Sequence, residues 1–376
     1  MGLRRVVGAA SPTPAQIARV ARSVLTKNLG IRPGERVGIE AWTYSLPWAI
    51  GFAREARRLG ASPLMLYEDE AAYWDSVRSR EEAILGKVAR HEWAALGATD
   101  AYVFFWGPAD RTPGLGLPDK RTEQLTAYNE EWYAAARKAG LRGVRMELGR
   151  VCPPMAKLWG VDETRWRDEL AAATTYDPAE LRKAARPLER ALARGRSVHL
   201  THPNGTDLSL KLAGLKPRVI TGGSVPRKQR GSYGMMATAP AGVVMAALDP
   251  RTAEGTVVGN RPAFFYKGRT DRPELTFRGG KLVKYSFGDG EKIFKDSWNA
   301  GRGTKDRPGY LSVGLNPHVH GLPMVEDVER GVVLVSLGNN TFVGGSNRSN
   351  FFQYALVGGG TLELDGRTVV DRGEVV

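Results

Sequence analysis

The hydrophobic pattern of this 376-residue chain changes period near Gly195. Before it, strand-like and helix-like stretches alternate. Thr13-Pro14 supplies an N-cap followed by a proline at the first helical position, and Ile17, Val20, Ala21, Val24 and Leu25 recur at helical spacing. A strand "RVGIEA" (36–41), a helix over 46–59 closed by Gly60, a strand "PLMLYED" (63–69) and one long helix over 70–96 follow. Then come a buried strand "AYVFFWG" (101–107), a helix over 122–139, a strand "GVRMEL" (143–148) and helices over 161–174 and 178–194. Repeated strand–helix units predict an α/β domain over 1–195, a parallel sheet with helices on both faces. From Ser197 onward, short alternating strands are punctuated by Asn204-Gly205, Gly279-Gly280, Asp289-Gly290 and Asp365-Gly366. This pattern predicts a β-rich domain over 196–376, and the chain is long enough for two cores.

Composition excludes several classes. With 42% hydrophobic and 25% charged residues, the chain is globular rather than disordered. Its apolar runs, such as Val243–Leu248, fall short of the roughly 20 residues a membrane span needs. The opening "MGLRRVVGAASPTPA" has too short an apolar core for a signal peptide, and Val6 breaks the myristoylation pattern. A cytoplasmic protein without membrane association is expected. The lone Cys152 excludes an internal disulfide and a multi-cysteine metal site. Beside Pro153-Pro154, with no histidine near in sequence, it reads as a small buried hydrophobe rather than a nucleophile. A formal charge of +14 raises the question of an anionic partner such as nucleic acid or the ribosome. The excess is spread over both halves with no basic tail, so a generally basic surface is the plainer reading.

Familiar catalytic signatures are missing. No Walker-type loop is present, "GLGLP" (114–118) lacks the strand–turn–helix setting of a dinucleotide fingerprint, and "GSYG" (231–234) is half a nucleophile elbow. On a strand, His199 and His202 point to opposite faces. His318 and His320, two apart in "NPHVHGLP", suit joint metal binding better, but Glu326, Asp327 and Glu329 lie several residues away; solvated loop histidines are the ordinary alternative. "FFY" (264–266) with Lys267, Arg269 and "RKQRGSYG" (227–234) has the make-up of a single-strand nucleic-acid surface, or of core aromatics beside a basic turn.

The segments "HLTHPNGTDLSL", "APAGVV", "AEGTVV", "LSVGLNP", "GNNTFVGGSNRS" and "LELDGRTVVDRGEV" resemble the aminopeptidase T family of metallopeptidases. That family includes relatives similar to 2,5-dihydroxypyridine dioxygenase, which use a single iron. "LGIRPGERVGIEA" and "AIGFAREARRLGA" extend the resemblance over nearly the whole chain. It implies an aminopeptidase T-like fold, with an α/β N-terminal domain and a β-rich C-terminal domain carrying the metal site, usually as a homodimer.

The resemblance also implies where metal ligands belong. The family's "PAGE" glutamate falls on Val243, and a second glutamate ahead of the "GxNP" turn falls on Tyr310. The histidine of "GTVHIALG" falls on Leu334, and the His-x-Asp after the glycine-rich loop falls on Phe352 and Tyr354. Valine, leucine and phenylalanine have no lone pairs to offer, and a tyrosine near its ordinary pKa of about 10 is a poor neutral ligand. Five replacements toward apolar or aromatic side chains read as a site refilled as core, with no cofactor expected. Glu329 falls near the family's acid and is a candidate general base, its ordinary reading being a surface carboxylate; Asn339, Asn340 and Arg348 are candidates to line a pocket for an anion or peptide carboxylate. Three functions stay open: a metal-free binding or assembly protein, an enzyme with a relocated metal or none, and a nucleic-acid-associated protein.

Overall fold

The computed structural model describes residues 11–224 and 236–376. The N-terminal residues 1–10 and the segments "RKQRGSYG" and "GSYG" lie outside the described residues. The chain forms two compact units: Met1–Thr175 with Gly222–Ala239, and Tyr176–Thr221 with Pro240–Val376.

In the first unit, strands β1 (Arg36–Trp42), β2 (Ser62–Glu68), β3 (Ala101–Phe105) and β4 (Arg142–Met146) pair in parallel. Its helices are α1 (Pro14–Ser23), α2 (Leu46–Arg58), α3 (Glu70–Ser79), α4 (Glu82–Leu85), α5 (Arg90–Gly97), α6 (Asp119–Lys138), α7 (Pro153–Trp159) and α8 (Glu163–Thr175). The cap read from Thr13-Pro14 is present: the Thr13 hydroxyl accepts from the Gln16 amide at 3.1 Å. One sheet face packs on α2, where Phe52 meets Phe105 edge-on at 5.2 Å; the other buries Tyr102 and Met236 against Leu96 of α5 and Trp132 of α6. Helices thus cover both faces of a parallel sheet, as the alternation predicts.

Two features differ from the sequence reading. The single helix expected over 70–96 is broken into α3, α4 and α5, because Arg80 adopts extended backbone after α3, Gly86 ends α4, and Glu92 caps α5 by accepting from the Ala89 amide at 2.9 Å. The sheet also gains a fifth parallel strand, Met236–Ala239, which returns from beyond residue 195 to pair with β4.

The second unit opens with α9 (Pro178–Arg194), whose apolar stripe Leu181, Ala185, Leu188 and Leu192 is buried. Its strands are β5 (Ser197–His202), β6 (Thr206–Lys211) and β7 (Arg218–Ile220); the returning strand of the first unit is numbered β8. There follow β9 (Val243–Ala247), β10 (Glu254–Val258), β11 (Ala263–Phe265), β12 (Gly268–Thr270), β13 (Glu274–Arg278) and β14 (Lys281–Ser286). Helix α10 (Glu291–Ala300) precedes β15 (Pro308–Gly314), β16 (Val333–Gly338), β17 (Phe352–Val357), β18 (Thr361–Leu364), β19 (Arg367–Asp371) and β20 (Glu374–Val375). An eight-stranded sheet, β14-β13-β10-β6-β5-β18-β19-β20, and a five-stranded sheet, β17-β16-β15-β9-β7, are both antiparallel. Leu200, Leu208, Val257 and Leu275 of the first share one core with Val244, Leu311, Val335 and Ala355 of the second. At the β18–β19 turn, Asp365 and Gly366 both take positive φ, +50° and +78°, the backbone that a tight hairpin requires.

Candidate functional site

Alternation along the five-stranded sheet sends Val244, Ala246, Leu311, Val313, Val333, Val335, Ala355 and Val357 into the shared core. Their neighbours point to the other face. There Val243, Tyr310, Leu334 and Tyr354 gather in a single cluster with Met245 and Leu356. The pairing Tyr310 with Ala247, Ser312 with Leu334 and Ser336 with Tyr354 sets them side by side. Phe352, two residues before Tyr354, joins them: its ring lies 6.0 Å from Tyr310 and nearly parallel at 6°. Phe352 and Tyr354 are 5.4 Å apart, and Phe342 meets Tyr310 edge-on at 5.0 Å. The structure therefore brings together all five positions that the resemblance matches to metal ligands, with Phe352 the one exposed member at 36%.

The polar part of this cluster is Glu326, which no spacing in the sequence marks. It begins the 3-10 turn Glu326–Val328 and is 3% exposed. Its Oε1 accepts from the Tyr354 hydroxyl and from the Phe264 amide, the latter at 3.1 Å; the Tyr354 hydroxyl also lies 3.3 Å from the Phe264 carbonyl. Burial pushes the Glu326 carboxyl up to about 7, the Tyr354 hydrogen bond pulls it partly back, and the charge of Asp327 adds to the rise. Burial and the nearby acids hold the phenols of Tyr310 and Tyr354 well above their usual range. A zinc or iron ion asks for several anionic or imidazole donors. Here the candidate donors are the Glu326 carboxyl, raised to about 7, the neighbouring Asp327 and two protonated phenols, and among the described residues no three His, Cys, Asp or Glu side chains group so as to hold a metal ion. The residues present do not fit the family's metal.

The remaining candidates are placed as follows. Glu329 is 8% exposed, contrary to the surface reading: its Oε2 accepts from the Gly321 amide at 2.6 Å and its Oε1 pairs with Arg261 at 3.3 Å. Such a carboxylate braces two loops. His318 and His320 flank buried Val319 and are themselves exposed; the His318 ring packs on Tyr176 at 5.5 Å. Asn340 is fully buried, donating to the Gly309 carbonyl at 2.9 Å and accepting from the Asn347 amide at 2.8 Å. It stitches the glycine-rich loop to β15 and presents nothing to a ligand. Asn339 accepts from the Thr341 amide at 3.0 Å, and the Arg348 side chain is exposed. These three do not converge on a pocket.

His199 bonds Asp207 at 2.8 Å on the eight-stranded sheet, beside a cavity of about 230 Å³ that includes Ser197, Lys211 and Glu363. His202 turns instead to the Asn204 amide, accepting at 3.0 Å through Nδ1. Cys152 is fully buried, and burial pushes its thiol far up, as an inert hydrophobe requires. Phe264 is buried beside Glu326 while Phe265 is half-buried against Tyr354, so this pair serves packing.

No family model and no curated protein matches this sequence. Solved structures do. Wild-type AmpT from Thermus thermophilus superposes with a TM-score of 0.72 at 19% identity, covering 96% of this chain and 99% of that one. A 2,5-dihydroxypyridine dioxygenase from Pseudomonas putida KT2440 superposes with a TM-score of 0.64 at 18% identity, covering 97% and 98%. The chain thus has, over nearly its whole length, the aminopeptidase T-like fold that its sequence motifs imply.

Proposed function

We propose that this protein is a metal-free aminopeptidase T-like homologue that acts by binding or assembly, as a homodimer, and lacks metallopeptidase activity. One observation carries the reading: Val243, Tyr310, Leu334, Phe352 and Tyr354 pack on one another as an aliphatic and aromatic layer. Losing a dication would leave its acids as unpaired buried charges, whereas apolar replacements avoid that cost. Glu326 fits the same logic, since burial raises its carboxyl to about 7 and two hydrogen bonds satisfy its Oε1. The exposed Phe352 ring, stacked on Tyr310, offers an apolar floor suited to a peptide side chain.

Incubation with zinc, cobalt and ferrous iron followed by elemental mass spectrometry and assay on aminoacyl substrates tests this. The expected result is no near-stoichiometric metal and no hydrolysis. Metal-dependent turnover would overturn it, and its loss in His318→Ala/His320→Ala would locate a relocated centre.

A further inference from the structure

The formal charge of +14 is spread through the sequence, but folding gathers part of it into one row. Helix α9 lays Leu181, Ala185, Leu188 and Leu192 into the core shared by the two sheets, on the far side of the five-stranded sheet from the aromatic layer. Its opposite face carries Arg186, Arg190 and Arg194 with Lys183 beside them, all exposed. The arginines recur every four residues, so the row runs about 12 Å along one side of the helix. Exposed Ala193 and Pro187 fill the space between and stand no taller than the guanidinium stems. At helical spacing Glu180 and Glu189 fall on either side of the row, and among the described residues no ion pair joins the four cations to an acid.

Past the helix end the basic surface continues. Gly195 lies against Leu364, whose cross-strand partner is Arg367, and both Arg196 and Arg367 are exposed. The acid at this turn, Asp365, is already engaged: it accepts from the amides of Arg196 and Ser197 at 3.1 and 2.8 Å and from the Ser197 hydroxyl at 2.7 Å.

Folding does not call for such a row. Like charges four residues apart on a helix repel. The helix dipole favours a cation in the last turn, which accounts for Arg194 but not for Lys183, Arg186 or Arg190.

The chemistry of the face selects the partner. Guanidinium forks match phosphate oxygens in pairs. A membrane would take up exposed apolar side chains beside the cations, and α9 has buried its own. A protein partner would need an apolar centre, and a single strand would need aromatic rings to stack on; the outer face of α9 offers neither. The helix also has no serine, threonine, asparagine or glutamine to meet the 2′-hydroxyls of an RNA duplex. The backbone of duplex DNA, with one charge per about 1.7 Å of axis, asks only for cations.

We propose that the outer face of α9 binds double-stranded DNA through its phosphates, without sequence preference. The site is separate from the aromatic layer and stands or falls without it.

Fluorescence anisotropy of a labelled DNA duplex of about 20 base pairs, titrated with the full chain at about 50 and about 200 mM salt, tests this. Binding should weaken steeply with salt. Arg186→Ala/Arg190→Ala/Arg194→Ala should reduce affinity about tenfold or more at the lower salt and lower the slope of log affinity against log salt by about 2.7, three phosphate contacts at about 0.9 each. The control Arg278→Ala/Lys281→Ala/Lys284→Ala removes the same charge from exposed positions of the β13–β14 hairpin and should change the slope by less than about 1. Alanine is the best helix former and relieves the repulsion, so the α9 variant should unfold no earlier than the parent by circular dichroism. Absent or salt-insensitive binding, an equal loss in the control, preference for an RNA duplex of the same length, or binding to phosphatidylserine vesicles that the α9 substitutions abolish while DNA binding persists would overturn the proposal.

Discussion

The Tyr354 hydroxyl donates to the Glu326 carboxylate in the interior of the second unit, joining β17 to a turn 28 residues earlier in the chain. Tyr354 is one of the five positions that the sequence resemblance matches to metal ligands, and among the described residues Glu326 forms no ion pair. Burial favours the protonated carboxyl, raising it to about 7 against the pull of the Tyr354 hydrogen bond.

The pH dependence of stability follows with a definite sign. The Glu326 carboxyl is raised from 4.5 to about 7 in the fold. Its protonated form is favoured there, so its contribution is complete below about 4.5 and is lost as pH rises through about 7, a change of roughly 3 kcal/mol. Glu326→Gln keeps an acceptor for Tyr354 and Phe264 without the charge. Urea unfolding should show it more stable than the parent at pH 8 and equal at pH 5. Glu40 shifts in the same direction, so part of the parent's slope should persist in the variant.

Removing the donor has the opposite effect. Tyr354→Phe leaves the buried carboxyl one partner short and should cost about 1–3 kcal/mol, measured at pH 6 where the parent is folded. An unchanged unfolding midpoint would mean the hydrogen bond contributes nothing.

The aliphatic positions should behave as core. Leu334 is 2% exposed in the layer, and Leu334→Ala should destabilise by about 2–5 kcal/mol. Phe352, more than a third exposed, should cost less when cut to alanine. Thermal unfolding of the two variants orders them; equal and negligible losses would indicate an open cleft instead of packed side chains.

Much of the fold was legible in the sequence, for local reasons. Thr13-Pro14 and Asp365-Gly366 act through their own backbones, whereas β9, β15 and β16 are buried on both faces and give no local sign of which residues face the shared core. The breaks at Arg80 and Gly86 were not, since helical spacing persists across them. Nor was the return of Met236–Ala239 to the first unit's sheet, because parallel pairing with β4 joins segments about ninety residues apart and leaves no local trace. At the site, the convergence of Val243, Tyr310, Leu334, Phe352 and Tyr354 came from motif resemblance alone. Glu326 was noted only as an acid several residues from His318 and His320, because its partners Phe264 and Tyr354 lie 62 and 28 residues away. Asn340 and Glu329 were misread for a related reason: a polar side chain in a glycine-rich or acidic stretch looks exposed until its distant partners are known.

The glycine-rich loop gives a further contrast. Asn340→Ala strands the Asn347 amide, while the Gly309 carbonyl keeps the Leu248 amide, and should cost about 1–3 kcal/mol, whereas Arg348→Ala, at an exposed side chain, should stay within about 0.5 kcal/mol. Chemical denaturation of both variants separates a structural brace from a ligand-contacting loop, for which the arginine would matter to binding and the asparagine little to stability.

The most direct measurement is the metal content of the purified, chelator-free protein after exposure to zinc, cobalt and ferrous iron, by elemental mass spectrometry. A metal-free homologue should carry well under one ion per chain in every case, with its unfolding midpoint unmoved by added metal. One or two ions per chain, with a raised midpoint, would contradict the account and show that the aromatic layer of Tyr310, Phe352 and Tyr354 is not what replaced the centre.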